Sequence, residues 1–338
     1  MTTLNRRQIL AGTGATLAVS MASVPATAAA VTGSSPDLAG KSILITGTSS
    51  GFGRLGALMY ARRGARVFAT MRNLPRPEGA ELEQIARDEK LDLTVLPLDV
   101  LSDAQAAATV AEVERRLGGP LDVLVNNAGI VISGPVEVQD LLAAQLAFDT
   151  NVFGYQRMAR AVLPGMRRNK SGLIVNVSSQ QGRIIMPGMG LYSATKFAVE
   201  SMSEQLAYEL APHGIEVVII QPGGYPTDVG ENRARYNAAL LARAEERHTA
   251  GYPAMVASMT PAPGAGRASA AATARPDPAD VPRAIAEIVA MAPGTRPLRR
   301  PVHPAPKPQE AINRVSAETQ RALLANGPHA EAARAVLD

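Results

Sequence analysis

Residues 41–73, KSILITGTSSGFGRLGALMYARRGARVFATMRN, restrict the possible fold more than any other stretch of the chain. An apolar run over 43–46 breaks into a glycine-rich turn, resumes as an amphipathic helical pattern, and ends in a second apolar run over 66–70. Strand, turn, helix, strand in that order is a βαβ unit, and its parallel strands need helices on both faces to be buried. Gly47, Gly51 and Gly53 fall where such a unit requires a tight turn, close approach of the backbone to a ligand, and close helix packing. Ser49, Ser50 and Phe52 complete the turn. The helix that follows offers unpaired N–H groups and a positive dipole end, a seat for the diphosphate of a dinucleotide.

Tyr192 and Lys196, four residues apart in YSATKFAVE, fall on one face of a helix. A phenol with a pKa of ~10 is a poor base at neutral pH. An ammonium fixed beside it favours the phenolate, so the pair can act as a proton-transfer device. The same spacing also occurs on ordinary solvated faces, and the pair acquires meaning only from its company.

That company is TGTSSGFG (46–53), NNAG (126–129), NVFG from Asn151, NVSS ending at Ser179, YSATK, and PGGYPT (222–227). In this order and spacing the motifs resemble the short-chain dehydrogenase/reductase family over residues 38–230, with weaker similarity to 303. The glycine spacing is that of the family's compact branch, which implies alcohol/carbonyl redox chemistry rather than sugar-nucleotide chemistry. The resemblance implies a single doubly wound, Rossmann-type α/β domain whose parallel sheet has about seven strands and helices on both faces. It also implies that Asn127, Ala128 and Gly129 line the cofactor, that Asp99 and Val100 flank its adenine, and that Pro222, Gly223 and Thr227 border it beyond the sixth strand. Catalysis falls by the same resemblance to Tyr192 as acid/base and Lys196 as the group that lowers its pKa and holds the ribose. Ser179 bonds the substrate oxygen, and Asn151 positions a water. Ser179 is preferred to Ser178 because it stands thirteen positions before Tyr192, the family's separation, whereas its neighbour on a strand end points the opposite way.

An acidic residue after the second strand would bond the ribose 2′-OH of NAD; this chain has Thr70, Met71 and Arg72 instead, which favours NADP, with NAD as the alternative. The residues expected to face the pocket, among them Ile130, Val131, Ile132, Gln180, Ile185, Met186, Leu191 and Tyr225, are mostly apolar. With Ser179, Gln180, Met186, Tyr192 and Tyr225 as substrate contacts, the expected substrate is a hydrophobic alcohol, ketone or aldehyde. A non-catalytic nucleotide-binding scaffold on the same fold is the alternative, disfavoured because both Tyr192 and Lys196 are present.

A chain of 338 residues, 46% hydrophobic, can bury one large core without a second domain. Its net charge of +4 is not interleaved with aromatic residues, which argues against nucleic acid as a partner. Four scattered histidines and no cysteine predict no metal. Further helices are expected over 77–89, 102–117 with Ser102 as N-cap, 138–168 interrupted at Asn151, 191–211, 231–248, 277–290 with Asp280 as N-cap, and 310–324. Strands are expected over 93–97, 121–125, 173–177 and 215–220, with a last one in RPLRRPV. Residues 228–280 form the expected substrate lid, with a mobile Ala/Pro/Gly-rich loop over 260–278, and 304–338 a helical extension of unassigned role.

The first thirty residues pair Arg6 and Arg7 with a mildly apolar Ala/Gly-rich stretch and small residues at an A-x-A site, the layout of a removable export signal. The segment is too polar for a stable membrane span, and NRRQIL resembles a twin-arginine signal. Cleavage near 28–30, periplasmic or secreted location, engagement with the twin-arginine export machinery, and a homodimer or homotetramer are the expectations.

Overall fold

The computed structural model describes residues 37–260 and 276–337; the expected export signal and most of the expected mobile loop lie outside them. Seven strands, β1 (Ser42–Thr46), β2 (Arg66–Met71), β3 (Leu93–Pro97), β4 (Val123–Asn126), β5 (Gly172–Val177), β6 (Ile215–Pro222) and β7 (Arg299–Val302), form one sheet in the order β3-β2-β1-β4-β5-β6-β7. Every neighbouring pair is parallel. The chain winds outward from β1 to β3, then returns and winds the other way from β4, so the order reverses between β1 and β4. Ligands of such sheets bind at this switch point, outside the carboxyl ends of the strands.

The helices are α1 (Gly51–Arg62), α2 (Pro77–Asp88), α3 (Asp103–Leu117), α4 (Leu141–Phe148), α5 (Gly154–Asn169), α6 (Tyr192–Leu210), α7 (Val229–Leu241), α8 (Glu246–Thr249), α9 (Pro253–Met259), α10 (Asp280–Ala290), α11 (Gln309–Leu324) and α12 (Ala330–Leu337). Alternate strand residues serve opposite faces. Ile43, Ile45, Val67, Val125 and Ile220 pack with Ala57 and Tyr60 of α1, Leu82 of α2 and Ile285 of α10. Leu44, Phe68, Leu124 and Ile219 pack with Val110 of α3, Met158 and Val162 of α5 and Leu210 of α6. Because both faces are covered, SILIT and VLVN are buried throughout and read as unbroken apolar runs.

Several boundaries differ from the sequence expectations for identifiable reasons. The helix expected from 138 begins at Leu141, because the Asp140 carboxylate accepts the Ala143 N–H at 2.8 Å and caps it there. The stretch Asp149–Phe153 is a π-helical turn joining α4 to α5, with Asn151 fully buried within it. The helix expected over 231–248 stops at Leu241; Glu245 is extended, and Pro253 opens α9 at a position where its missing N–H costs nothing. Asp280 is not an N-cap. It lies inside the first turn of α10, paired with Arg283, while the Asp277 carboxylate takes the Ala279 N–H. Ser102 does cap α3, accepting the Gln105 N–H at 3.2 Å. Among the described residues, no helix is long and apolar enough to cross a membrane.

Candidate active site

At the carboxyl end of β1 the glycine turn leaves no room for side chains. Gly47 has φ +72°, and a Cβ there would stand 2.9 Å from the Ala128 Cα; one on Gly53 would stand 2.2 Å from the Gly47 carbonyl oxygen. The turn is tied to the NNAG segment through Thr46, whose hydroxyl accepts the Asn127 and Ala128 N–H groups at 3.0 Å. The Asn127 amide donates to the Thr46 and Gly47 carbonyls at 2.9 and 3.1 Å. Ser50 precedes α1 in extended conformation without a side-chain cap, and no acid stands in the helix's first turn. The leading N–H groups of α1 are thus left for an anion, and the backbone around Ser49, Gly51 and Phe52 can approach it closely, which fits a dinucleotide diphosphate. Thr227 sits across this opening, 3.6 Å from where a Gly51 Cβ would be. Gly223 donates its N–H to the Val302 carbonyl, and a side chain there would strike the His303 ring at 2.6 Å. Pro222 ends β6 just before it.

On the adenine side, Asp99 is half-buried and its carboxylate accepts the Leu101 N–H at 3.0 Å. Val100 has its side chain in the core against Gly154, and its carbonyl accepts from Arg157 at 3.2 Å. Arg72 is half-buried, with Nη2 donating to the Tyr236 hydroxyl of α7 at 3.0 Å. The next residue of that helix, Asn237, is buried and bonds the backbone N–H and hydroxyl of Ser133 and the Met259 carbonyl. Leu240 and Met259 then pack on Ile130 and Ile132, so α7 and α9 are docked directly on the segment that follows Gly129.

The predicted catalytic residues converge at the ends of β4 and β5. Ser179, two residues beyond β5, lies beside Tyr192, the first residue of α6, and its oxygen accepts the Gln181 N–H at 3.1 Å. Lys196 follows one turn later, buried, with Nζ donating to the Val177 carbonyl at 2.9 Å. The Asn151 amide bonds both the N–H and the carbonyl of Ile130, at 2.8 and 2.9 Å, and the Thr195 hydroxyl at 3.1 Å. A Cβ on Gly129 would lie 3.2 Å from the Asn151 Oδ1, a tight contact, and 3.9 Å from the Lys196 Nζ, so the NNAG segment, the π-helical turn and α6 meet here.

The electrostatics correct one expectation. Burial pushes Tyr192 up to about 12, and the group that opposes this is Ser179, not Lys196. The ammonium is engaged by the Val177 carbonyl, 5.9 Å from the Tyr192 ring centre, and is itself lowered by burial to about 8 against the pull of Glu200.

On the substrate side, Gln180 opens a short 3-10 turn, and Ile185 and Met186 stand exposed beyond it. Tyr225 is a second correction. Its ring is buried edge-on between Phe52 and His303, and its hydroxyl reaches Asp280 of α10, so it serves the packing of that helix rather than a substrate. Sequence reasoning missed Tyr155, whose hydroxyl also donates to Val177 and whose ring centre lies 5.5 Å from Lys196 Nζ. It also missed Glu200, although an acid one turn after Lys196 on the same helix face was a readable signal.

A family model described as short chain dehydrogenase matches residues 41–237. The 3-ketodihydrosphingosine reductase of Bacteroides thetaiotaomicron is 39% identical over 191 residues, 56% of this chain and 66% of that protein. Human retinol dehydrogenase 8 is 40% identical over 193 residues, 56% of this chain and 60% of the relative. The chain thus spans less than two thirds of the length of these curated relatives. Among solved structures, a gluconate 5-dehydrogenase from Burkholderia cenocepacia in complex with NADP and tartrate is 31% identical with a TM-score of 0.54, over 61% of this chain and 81% of that one. Because the family match runs unbroken from the glycine turn through α6 and into α7, the chain belongs to the short-chain dehydrogenase family.

Proposed function

We propose that the protein is an NADP(H)-dependent oxidoreductase that interconverts a hydrophobic alcohol with its ketone or aldehyde. The observation that carries this reading is that Tyr192 and buried Lys196 stand one helical turn apart at the start of α6, with Ser179 beside Tyr192, at the carboxyl edge of the sheet next to the glycine turn. Bound nicotinamide supplies or accepts the hydride. In the reducing direction Ser179 donates a hydrogen bond to the substrate carbonyl oxygen as charge develops there, and Tyr192 gives it a proton; oxidation reverses both. Ser179 favours the phenolate that results, and Lys196 holds the ribose. Asn151, fully buried in the π-helical turn and bonded to the Ile130 backbone, would position a water that returns the proton from solvent.

NADP is favoured over NAD because Arg72 is a cation where an acid would be needed for the ribose 2′-OH. The apolar residues Ile185 and Met186 beside the site, and the activities for which the two curated relatives are named, support a lipid-like substrate. Purified protein assayed with NADPH and NADP⁺ against long-chain and polycyclic ketones, aldehydes and alcohols tests the reading. Turnover of at least one supports it, and tight NADPH binding without turnover of any replaces it with a nucleotide-binding scaffold.

The proposal extends to location: Arg6 and Arg7 direct export of the folded, nucleotide-loaded protein. Bound nucleotide stabilises the folded state before transit by mass action. Fractionation of the native host should find the protein outside the cytoplasm, and an Arg6→Lys/Arg7→Lys variant inside. A wild-type protein that stays cytoplasmic with an intact N-terminus refutes the extension.

A further inference from the structure

Helix α11 lies beyond the residues that the family model matches, yet polar side chains join it to the site. Gln309, at its start, is fully buried, with its amide 3.4 Å from the Gln221 carbonyl. One turn on, the Asn313 amide is used at both ends: Oδ1 accepts from Arg183 Nε at 3.0 Å, and Nδ2 donates to Gln221 Oε1 at 2.7 Å. Gln221 is fully buried and passes the connection on, its Nε2 donating to Glu200 Oε1 at 2.9 Å. Glu200 in turn holds Arg299 of β7 at 2.8 Å, and Arg299 also pairs with Glu204.

Each partner of Asn313 has a fixed place relative to the chemistry. Arg183 stands four residues after Ser179, at the root of the 183–191 connection that carries Ile185 and Met186. Gln221 immediately precedes Pro222 and Gly223, and Glu200 lies one turn past Lys196 on α6. Arg183 is penalised first by burial and then by the like charge of Arg299, outweighing the attraction of Glu200 and Glu204, and its Nη2 is buried without a hydrogen bond. Left to itself, the guanidinium would gain by turning out to water, carrying the connection with it. The Asn313 carbonyl, from the far end of the chain, opposes that turn.

We propose that Asn313 is a positioning residue: one side-chain amide locks the Arg183 end of the substrate-facing connection to Gln221 on the cofactor-facing strand, so that the C-terminal helix sets the alignment of the active site. The kinetic consequence rests on the oxidoreductase reading above, whereas the structural consequence does not. Asn313 touches neither the expected substrate nor the cofactor and acts only through Arg183 and Gln221.

The test compares full-length wild type with Asn313→Leu, Asn313→Asp and Arg183→Met by hydrogen exchange and by steady-state kinetics with NADPH. In Asn313→Leu the amides of 183–191 should exchange about tenfold faster, the worth of one lost hydrogen bond, with the 47–53 turn unchanged. KM for the carbonyl substrate should rise by about the same factor, with KM for NADPH unaltered. Asn313→Asp keeps the acceptor for Arg183 but offers no donor to Gln221 Oε1, so 183–191 should exchange faster than in wild type and slower than in Asn313→Leu. Arg183→Met should reproduce the faster 183–191 exchange of the Leu variant, and the double variant should add nothing over that segment, since the Arg183–Asn313 bond is common to both. Unchanged exchange over 183–191 in Asn313→Leu, or acceleration spread evenly over the whole domain, overturns the inference. Should Asn313→Leu fail to fold, the Arg183→Met exchange pattern decides. Absence of turnover in wild type sinks the oxidoreductase reading alone, because exchange is measured without substrate.

Discussion

The Tyr155 hydroxyl and the Lys196 ammonium donate to the same acceptor, the Val177 carbonyl oxygen, at 3.0 and 2.9 Å. Lys196 Nζ consequently lies between two phenol rings, 5.5 Å from the centre of Tyr155 and 5.9 Å from that of Tyr192. A buried ammonium has lost its hydration, and the ring faces together with the Val177 carbonyl return part of the stabilisation.

Tyr155→Leu therefore should lower the Lys196 midpoint by about one pH unit, since a desolvated cation–π contact is worth ~1–2 kcal/mol and one unit about 1.4 kcal/mol. Tyr155→Phe keeps the ring and should move it by less than half as much. NMR titration of the ε-carbons of labelled lysine measures both, and an unmoved midpoint in the Leu variant contradicts the role.

The nucleotide-free protein should show a stability profile with a defined sign. Lys196 is lowered from 10.5 to about 8, so the folded state binds this proton more weakly than the unfolded chain does. The cost is full below pH 8 and disappears as pH rises from about 8 toward 10.5. Tyr192 is raised from 10.0 to about 12, so its contribution is present below pH 10 and is lost between 10 and 12. Urea unfolding should show stability rising between pH 7 and 9 by ~1.4 kcal/mol from Lys196, about one pH unit's worth above its folded midpoint, a rise absent in Lys196→Met. A parallel rise in that variant would assign the effect to other groups.

Arg72→Ala should weaken NADP binding by roughly 1–3 kcal/mol while leaving NAD binding nearly unchanged, as expected for loss of one charge-assisted bond to the 2′-phosphate. Calorimetric titration with both nucleotides distinguishes this from a general effect of releasing Tyr236 and α7, which would weaken both equally.

Gly53→Ala should abolish nucleotide binding, because its Cβ would sit 2.2 Å from the Gly47 carbonyl oxygen and 2.6 Å from the Asn127 amide nitrogen. Separating these groups also loosens the turn at a cost of ~1–3 kcal/mol, visible as a lower Tm. Wild-type affinity in this variant would show that the turn does not form the binding surface.

The two-sided burial of β1 and β4 made the strands legible as apolar runs, and glycine spacing made the turn legible because no other residue fits against Ala128 and Gly47. Ser179, Tyr192 and Lys196 were readable because β5 and the start of α6 fix their positions. Residues whose roles depend on distant partners were not readable. Tyr225 takes its orientation from Asp280 across 55 residues, Asn313 its meaning from Arg183 across 130, and Tyr155 of α5 from a carbonyl on β5. The expected effect of Lys196 on Tyr192 failed for a related reason: spacing along α6 brings the two together but does not reveal the Val177 carbonyl that engages the ammonium.

Tyr192→Phe tests the central claim most directly, because it deletes one oxygen and leaves the ring in place. With NADPH and a carbonyl substrate that the wild type reduces, kcat should fall at least ~10²-fold, the scale of a general acid–base contribution, while NADPH affinity and Tm stay at wild-type values. Near-wild-type turnover in Tyr192→Phe would contradict the assignment of proton transfer to this residue.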